Sequence, residues 1–213
     1  MSEMGIRERV TNVLLLLYLI ERTNTMGKVE DELKLQKLIF LAQKKLIERK
    51  LKAFGYNFFR WRKGPFSKNL RIDLITMSDQ KFLKTTREGI QLTSKGKELI
   101  EDSRDIFNGN RTFLRYIDQI IEKYAELSPD EIKEEVYSLK VMVPIIREFM
   151  SIKEVPLRRL ILFKTSDKKA QGIFHIPSSW LATFEIMFDK EATSSLERAV
   201  DDAIEGRAKE LTL

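Results

Sequence analysis

The stretch that decides the fold runs from residue 67 to residue 93 and reads SKNLRIDLITMSDQKFLKTTREGIQLT. Ser67 can cap a helix that continues to about Ser78, because its hydroxyl can accept a hydrogen bond from an unpaired N–H of the first turn. Two short apolar runs then flank Arg87-Glu88-Gly89, a sequence that predicts a β-hairpin. The stretch therefore predicts a helix followed by a hairpin, and both carry basic side chains.

The segments around this stretch predict the rest of one domain. Residues 6–23 and 29–50 place apolar side chains at helical spacing, and residues 56–61 alternate as a short strand does. Thr93 or Ser94 begins a further helix. In the second helix four lysines are predicted to face outward, namely Lys34, Lys37, Lys44 and Lys45. Helix, helix, strand, helix, hairpin and helix is the order of a winged helix-turn-helix domain, which we expect to span residues 1–105.

The second half of the chain predicts a helical extension over residues 106–150 and a small αβ unit over residues 151–213. Ser128-Pro129-Asp130-Glu131 has the pattern of a capping box with proline at the first helical position. Pro144 interrupts the next apolar run, and a short helix is predicted from there to Met150. The αβ unit would hold two strands, a helix from Pro177 and a last helix ending near Ile204. The predicted fold class is α+β, mainly α.

Charge is unevenly distributed along the chain. Residues 50–97 contain twelve Lys or Arg and three acidic residues, a net charge of +9, whereas residues 185–213 have a net charge of −4. A basic region favours a polyanionic partner and an acidic one a basic partner, although a merely solvated surface remains the alternative for either. The predicted contacts to double-stranded DNA are Lys68, Asn69 and Arg71 in the groove, with Arg60, Arg62, Lys63, Lys84 and Arg87 on phosphates.

Two motifs resemble a known family. Residues 35–43 read LQKLIFLAQ, which resembles the K-L-Q-K-L-L-Y-x-A-Q signature of the Panacea domain of SocA-like antitoxins and phage-associated proteins. Residues 59–67 read FRWRKGPFS and are similar to the W-x-x-G-P-x-S segment of that family. The resemblance covers roughly residues 10–150 and implies an antitoxin that contacts a toxin directly. Leu139-Lys140 stands where the family often has Thr-His, so no role of that histidine is carried over.

The acidic end of the chain gives a second resemblance. Residues 195–207 are similar to the toxin-wrapping end of RelB-type antitoxins, which implies a protein partner. Their apolar stripe suits the groove of a partner, and the surrounding acids suit a basic one such as a ribonuclease toxin. The predicted contacts are Leu196, Ala199, Val200, Ile204 and Arg207. The alternative is that this helix packs on its own chain.

Signs of catalysis are weak in this sequence. His175 is the only histidine, there is no cysteine, and the phosphate-binding and nucleophile-elbow signatures do not occur. We therefore expect no enzyme activity, no cofactor and no metal site, and we interpret His175 as a packed residue. We also interpret Phe58, Phe59, Trp61 and Phe66 as hydrophobic core rather than as a platform on which bases stack.

The sequence predicts a non-enzymatic, antitoxin-like regulator that binds DNA and a protein partner. The absence of cysteine favours the cytoplasm, and the longest apolar run, residues 13–20, is shorter than the roughly 20 residues that span a bilayer. A homodimer on an operator is one arrangement that this allows. The first alternative is a protein-interaction module that uses the winged helix only as a scaffold. A metal-dependent nuclease is a third hypothesis.

Overall fold

The computed structural model describes residues 5–144, 146–187, 198–202 and 204. The fold is α+β and mainly helical. Its helices are α1 (Ile6–Met26), α2 (Glu32–Glu48), α3 (Lys68–Asp79), α4 (Ser94–Asp102), α5 (Arg104–Gly109), α6 (Arg111–Tyr124), α7 (Pro129–Ser138) and α8 (Ser178–Met187). Its strands are β1 (Leu51–Lys52), β2 (Phe58–Trp61), β3 (Gly64–Phe66), β4 (Leu83–Thr86), β5 (Gly89–Leu92), β6 (Lys140–Val143), β7 (Glu148–Ser151), β8 (Leu160–Leu162) and β9 (Gly172–Ile173). Residues 198–202 and 204 are also helical, and we call them the C-terminal helical segment.

Capping side chains fix where several of these helices begin. Asp31 accepts a hydrogen bond from the Lys34 N–H at the start of α2, at 2.8 Å. Thr93 caps α4 in the same way. At α7 Ser128 and Glu131 satisfy each other's backbone N–H groups, so the predicted capping box is confirmed. Each cap gives a partner to N–H groups that the helix leaves unpaired.

The core is built around α1 and α2. Consecutive apolar residues of α1, from Val13 to Leu17, are fully buried, as expected for a helix that is covered on nearly all sides. Helix α1 packs against α6, α8 and β5, while α2 packs against α6, α7 and β3. No described helix combines the length and the apolar character needed to cross a membrane.

Strand pairing connects parts of the chain that are far apart in sequence. β2 pairs with β3 on one side and with β8 on the other, both antiparallel. β1 pairs with β9 in parallel. The boundaries near residues 105 and 150 remain a prediction, but these pairs join the first of the expected units to the third.

The predicted short helix before Met150 is wrong. Residues 140–143 and 148–151 instead form the antiparallel β6–β7 hairpin, in which Met142 lies opposite Phe149. Burial alternates along β6, with Val141 and Val143 inside and Met142 outside, which is the period of a strand. Proline lacks an N–H, and Pro144 ends β6 at the turn rather than beginning a helix.

Candidate nucleic-acid interface

Helix α3 presents the predicted groove residues on its first turn. The Ser67 hydroxyl accepts a hydrogen bond from the Leu70 N–H at 3.4 Å, so the predicted cap is confirmed. Leu70 and other apolar residues of α3 are buried and orient the helix on the core. Asn69 is exposed, whereas Lys68 and Arg71 are partly exposed. This turn contains no acidic residue.

The two cations of this turn have acidic neighbours in the same chain. The Lys68 Nζ lies 2.6 Å from the Asp201 carboxylate of the C-terminal helical segment. The Arg71 Nε lies 3.8 Å from the Glu32 carboxylate at the start of α2, a longer and weaker contact. An ion pair between partly exposed groups contributes little to stability, so either cation can exchange its partner at small cost.

The predicted hairpin is present and carries its two basic residues on the surface. Strands β4 and β5 pair antiparallel, and Lys84 and Arg87 are exposed. Gly89 has a φ of +119°, and an added Cβ there would overlap the carbonyl oxygen of Val29. The Ile90 N–H donates to the same carbonyl at 2.7 Å, which anchors the hairpin to the α1–α2 connection.

The turn between β2 and β3 contributes two more exposed cations, Arg62 and Lys63. Arg60, predicted to bind phosphate, is only 9% exposed. Its Nε donates to the Ile152 carbonyl at 2.8 Å, and its guanidinium lies 4.9 Å from the centre of the Tyr137 ring. Arg60 therefore holds the β2 strand against the C-terminal half, and we leave it out of the interface.

Two buried glutamines of α2 hold the segment that leads into α3, and sequence reasoning did not identify their role. The Gln43 side chain donates to the Tyr56 carbonyl at 2.6 Å and accepts from the Tyr56 N–H at 3.1 Å. The Gln36 side chain makes the same pair of bonds with Ser67, at 3.1 and 2.9 Å. Residues seven apart on a helix share one face, so α2 holds both ends of residues 56–67. The signal was the paired amides within LQKLIFLAQ.

Two of the lysines predicted to face outward are buried. Lys34 and Lys37 are 0% and 1% exposed. Lys34 donates to the Ala125 carbonyl at 2.7 Å and lies 2.8 Å from Glu30, whereas Lys37 donates to the Leu33 carbonyl at 3.2 Å. Helices α6 and α7 pack over this face of α2, which is why periodicity within α2 alone gave the wrong side.

Burial shifts the proton affinity of two core groups near this segment. It lowers the pKa of the Lys37 ammonium from its usual 10.5 to about 7, with further lowering by the positive charges of Lys133 and Lys63. Burial also raises the pKa of the Asp73 carboxyl from 3.8 to about 6, although a hydrogen bond from the Tyr56 hydroxyl opposes this. That bond is 2.7 Å long. Neither group faces a cavity that could hold a substrate among the described residues.

The residues predicted to bind a protein partner lie at the end of the chain. Ala199 is exposed, Ile204 is partly exposed and Val200 is only 4% exposed. Leu196 and Arg207 lie outside the described residues. Val200 and Asp201 thus face the protein's own surface, whereas Ala199 remains open to a partner.

His175 is not the packed residue that the sequence predicted. Its side chain is exposed, and its backbone N–H and carbonyl are held by the Asn110 side chain at 2.8 and 2.9 Å. Over the part of the chain that the structure describes, no group of His, Asp or Glu side chains is arranged to hold a metal ion. The arrangement of the interface residues is suited to binding an extended polyanion.

Comparison with known families gives one match. Residues 35–140 match the family model described as antitoxin SocA-like, Panacea domain. This range begins at the first residue of LQKLIFLAQ and includes both the β2–β3 turn and α3. Neither the curated proteins nor the solved structures gave a match.

Proposed function

We propose, from the membership of residues 35–140 in the SocA-like Panacea family of antitoxin domains, that this protein is an antitoxin-like regulator. It holds a protein partner such as a toxin, and it acts by binding rather than by catalysis. The family match is the observation that carries this role. DNA binding is the second part of the proposal and depends on the surface cations alone.

The DNA-binding part treats the first domain as a winged helix. Helix α2, the recognition helix α3, the β4–β5 hairpin as wing and then α4 follow one another in the order of that fold. Asn69 and Arg71 on α3 would face base edges, and Lys84 and Arg87 would contact phosphates beside the groove. Arg62 and Lys63, on the turn just before α3, extend the same set of cations. A homodimer on a two-fold operator fits this proposal.

A double charge reversal tests the DNA interface. Arg71→Glu combined with Arg87→Glu replaces two proposed contacts on two elements, so the gel shift with duplex DNA at low salt should disappear. The matched control is Lys168→Glu with Lys169→Glu, which makes the same change of net charge at two exposed residues after β8. An unchanged shift in the Arg71/Arg87 variant, or an equal loss in the control, would remove DNA from the proposal.

One observation favours the alternative of a protein-interaction module. Lys68 and Arg71 already have acidic neighbours within the chain, so the α3 surface is partly neutralised in this structure. The alternative predicts a stable complex with a basic partner and no salt-dependent binding of DNA. A pull-down from the native host followed by deletion of residues 191–213 tests it, because the acidic end should be required for that complex. Full affinity after the deletion would exclude the acidic end as the partner site.

A further inference from the structure

Three aromatic rings share the outer face of the three-stranded sheet, contrary to the prediction that they are core. Along β2 burial alternates, so that Phe58 and Arg60 point inward while Phe59 and Trp61 point outward. Phe66 on β3 lies directly opposite Phe59 and therefore on the same face. Phe59 is 39% exposed, and Trp61 and Phe66 are partly exposed. We call these three residues the aromatic sheet face.

Cations surround this face and no acidic residue lies in the segments that form it. Residues 56–68 and 156–164 contain neither Asp nor Glu. The Arg158 N–H donates to the Arg60 carbonyl at 2.7 Å, which aligns the residues before β8 with β2. Arg158 then lies with its guanidinium 5.4 Å from the centre of the Trp61 ring. Arg62, Lys63 and Arg159 are exposed around it.

The spacing of the rings suits flat ligands arranged in a row. The Trp61 and Phe66 ring centres are 6.2 Å apart with the rings tilted, so each keeps a separate face. Two residues apart on one strand, Phe59 and Trp61 are roughly 7 Å apart along β2. Such a set can accept successive unstacked bases, whereas the bases of a double helix are already stacked on each other.

We infer that the aromatic sheet face binds single-stranded nucleic acid, with bases stacked on Phe59, Trp61 and Phe66. Arg62, Lys63, Arg158 and Arg159 contact the phosphates. Charge complementarity selects a polyanion, and the exposed rings select one that carries aromatic bases. The site is distinct from the α3 and hairpin surface and does not depend on duplex binding there.

Trp61 itself reports on the site. The chain has two tryptophans, Trp61 and Trp180, so Trp180→Phe in the full-length protein leaves Trp61 as the sole source of indole fluorescence. Titration with a twelve-nucleotide oligodeoxythymidine, and separately with oligouridine, should quench this fluorescence to saturation. Affinity should fall steeply with salt, because each phosphate contact releases counterions from the strand. A titration without quenching overturns the inference.

Side-chain variants in that background locate the site. Phe59→Ala should weaken oligodeoxythymidine binding about 5- to 100-fold, the range expected for loss of one stacking ring. The matched control is Phe149→Ala, which removes a phenylalanine that is 66% exposed on the separate β6–β7 sheet and should leave the affinity unchanged. Thermal unfolding of both variants, followed by circular dichroism, checks that they remain folded. Equal affinities for the two variants overturn the inference.

Two further arms separate this site from other readings of the same surface. Heparin has negative charge without bases, so if it binds as tightly as the oligonucleotide, and Phe59→Ala weakens neither ligand, the face is only a cationic surface for an acidic partner. Arg71→Glu with Arg87→Glu should leave the oligodeoxythymidine titration unchanged. If this variant loses single-strand binding as well, there is no separate site. If it loses only duplex binding, the two sites are independent.

Discussion

The Nζ of Lys68 lies 2.6 Å from the Oδ2 of Asp201, an ion pair that joins the first turn of α3 to the C-terminal helical segment. The next residue along that segment, Val200, is almost fully buried against the protein. A carboxylate therefore contacts the ammonium that our proposal assigns to a DNA phosphate. Because both groups carry one negative charge at that point, the acidic end and DNA compete for Lys68.

The first prediction concerns this competition. Asp201→Asn keeps the shape of the side chain but removes its charge, so Lys68 becomes available and duplex affinity should rise about 2- to 5-fold, the range for a surface ion pair. Fluorescence anisotropy with a labelled duplex at low salt measures it. Glu122→Gln on α6 makes the same change of net charge at an exposed position and is the control. Equal effects of both variants would mean that only overall charge matters.

The second prediction concerns the glutamines that hold residues 56–67. Gln43→Met has a similar length but leaves the buried N–H and carbonyl of Tyr56 without partners. Each unsatisfied buried group costs about 1–3 kcal/mol, so the free energy of unfolding should fall by roughly 2–6 kcal/mol. Gln36→Met should behave similarly because Gln36 makes the same two bonds with Ser67. Urea unfolding measures both.

The control for this pair is Gln119→Met, which changes an exposed glutamine of α6. It should alter the free energy of unfolding by less than about 0.5 kcal/mol. A Gln43→Met protein as stable as the wild type would show that the amide pair is replaceable by water or by a rearranged backbone. The motif LQKLIFLAQ would then need an explanation outside folding.

Local signals made α3 and its hairpin predictable from the sequence. Ser67 lies at the cap of α3, and Arg87-Glu88-Gly89 lies at the turn between β4 and β5. The capping box at Ser128 is a similar case. All three depend on residues within a few positions of one another, so neighbouring sequence contains the whole cause.

Side-chain destinations were not predictable where the partner is remote in sequence. Lys34 reaches the carbonyl of Ala125, and Arg60 reaches the carbonyl of Ile152, each about 90 residues away. Nothing near either residue indicates that partner, and a basic side chain is usually solvated. The outward face of Phe59 was missed for the same reason, because it is set by the pairing of β2 with β8.

The third prediction concerns Asp73 and pH. The pKa of this buried carboxyl is about 6 in the folded protein and near 3.8 when unfolded, so the folded state binds more protons between these values. Its contribution to stability is therefore present below pH 4 and is lost as the pH rises to 6, by on the order of 1 kcal/mol per pH unit. Asp73→Asn, which can still accept from Tyr56, should remove this loss. Urea unfolding of both proteins at pH 4 and pH 6 measures it.

Other carboxyls also titrate in this window, so the comparison is the difference between the variant and the wild type at each pH. Asp79→Asn, at the exposed end of α3, is the control and should follow the wild type. If the difference between Asp73→Asn and the wild type is the same at pH 4 and pH 6, the carboxyl does not change its proton affinity on folding.

The fourth prediction concerns Lys37, for which the direction is opposite. Its pKa is about 7 in the folded protein and 10.5 when unfolded, so above pH 7 the unfolded state binds the extra proton. The free energy of unfolding should therefore rise from pH 7 to pH 9, by on the order of 1 kcal/mol per pH unit. Lys37→Met fills the same buried space without an amine. It should be more stable than the wild type at pH 7 and should lack the rise.

Lys45→Met, on a partly exposed part of the same helix, is the control and should keep the wild-type dependence on pH. Urea unfolding at pH 7, 8 and 9 gives the three slopes. A Lys37→Met protein that is less stable than the wild type at pH 7 would contradict the prediction, because it would mean that the buried ammonium contributes more through the Leu33 carbonyl than its burial costs. The argument thus depends on whether one hydrogen bond to a neutral carbonyl can offset the removal of a charge from water, and the energetics of unpaired buried charges indicate that it cannot.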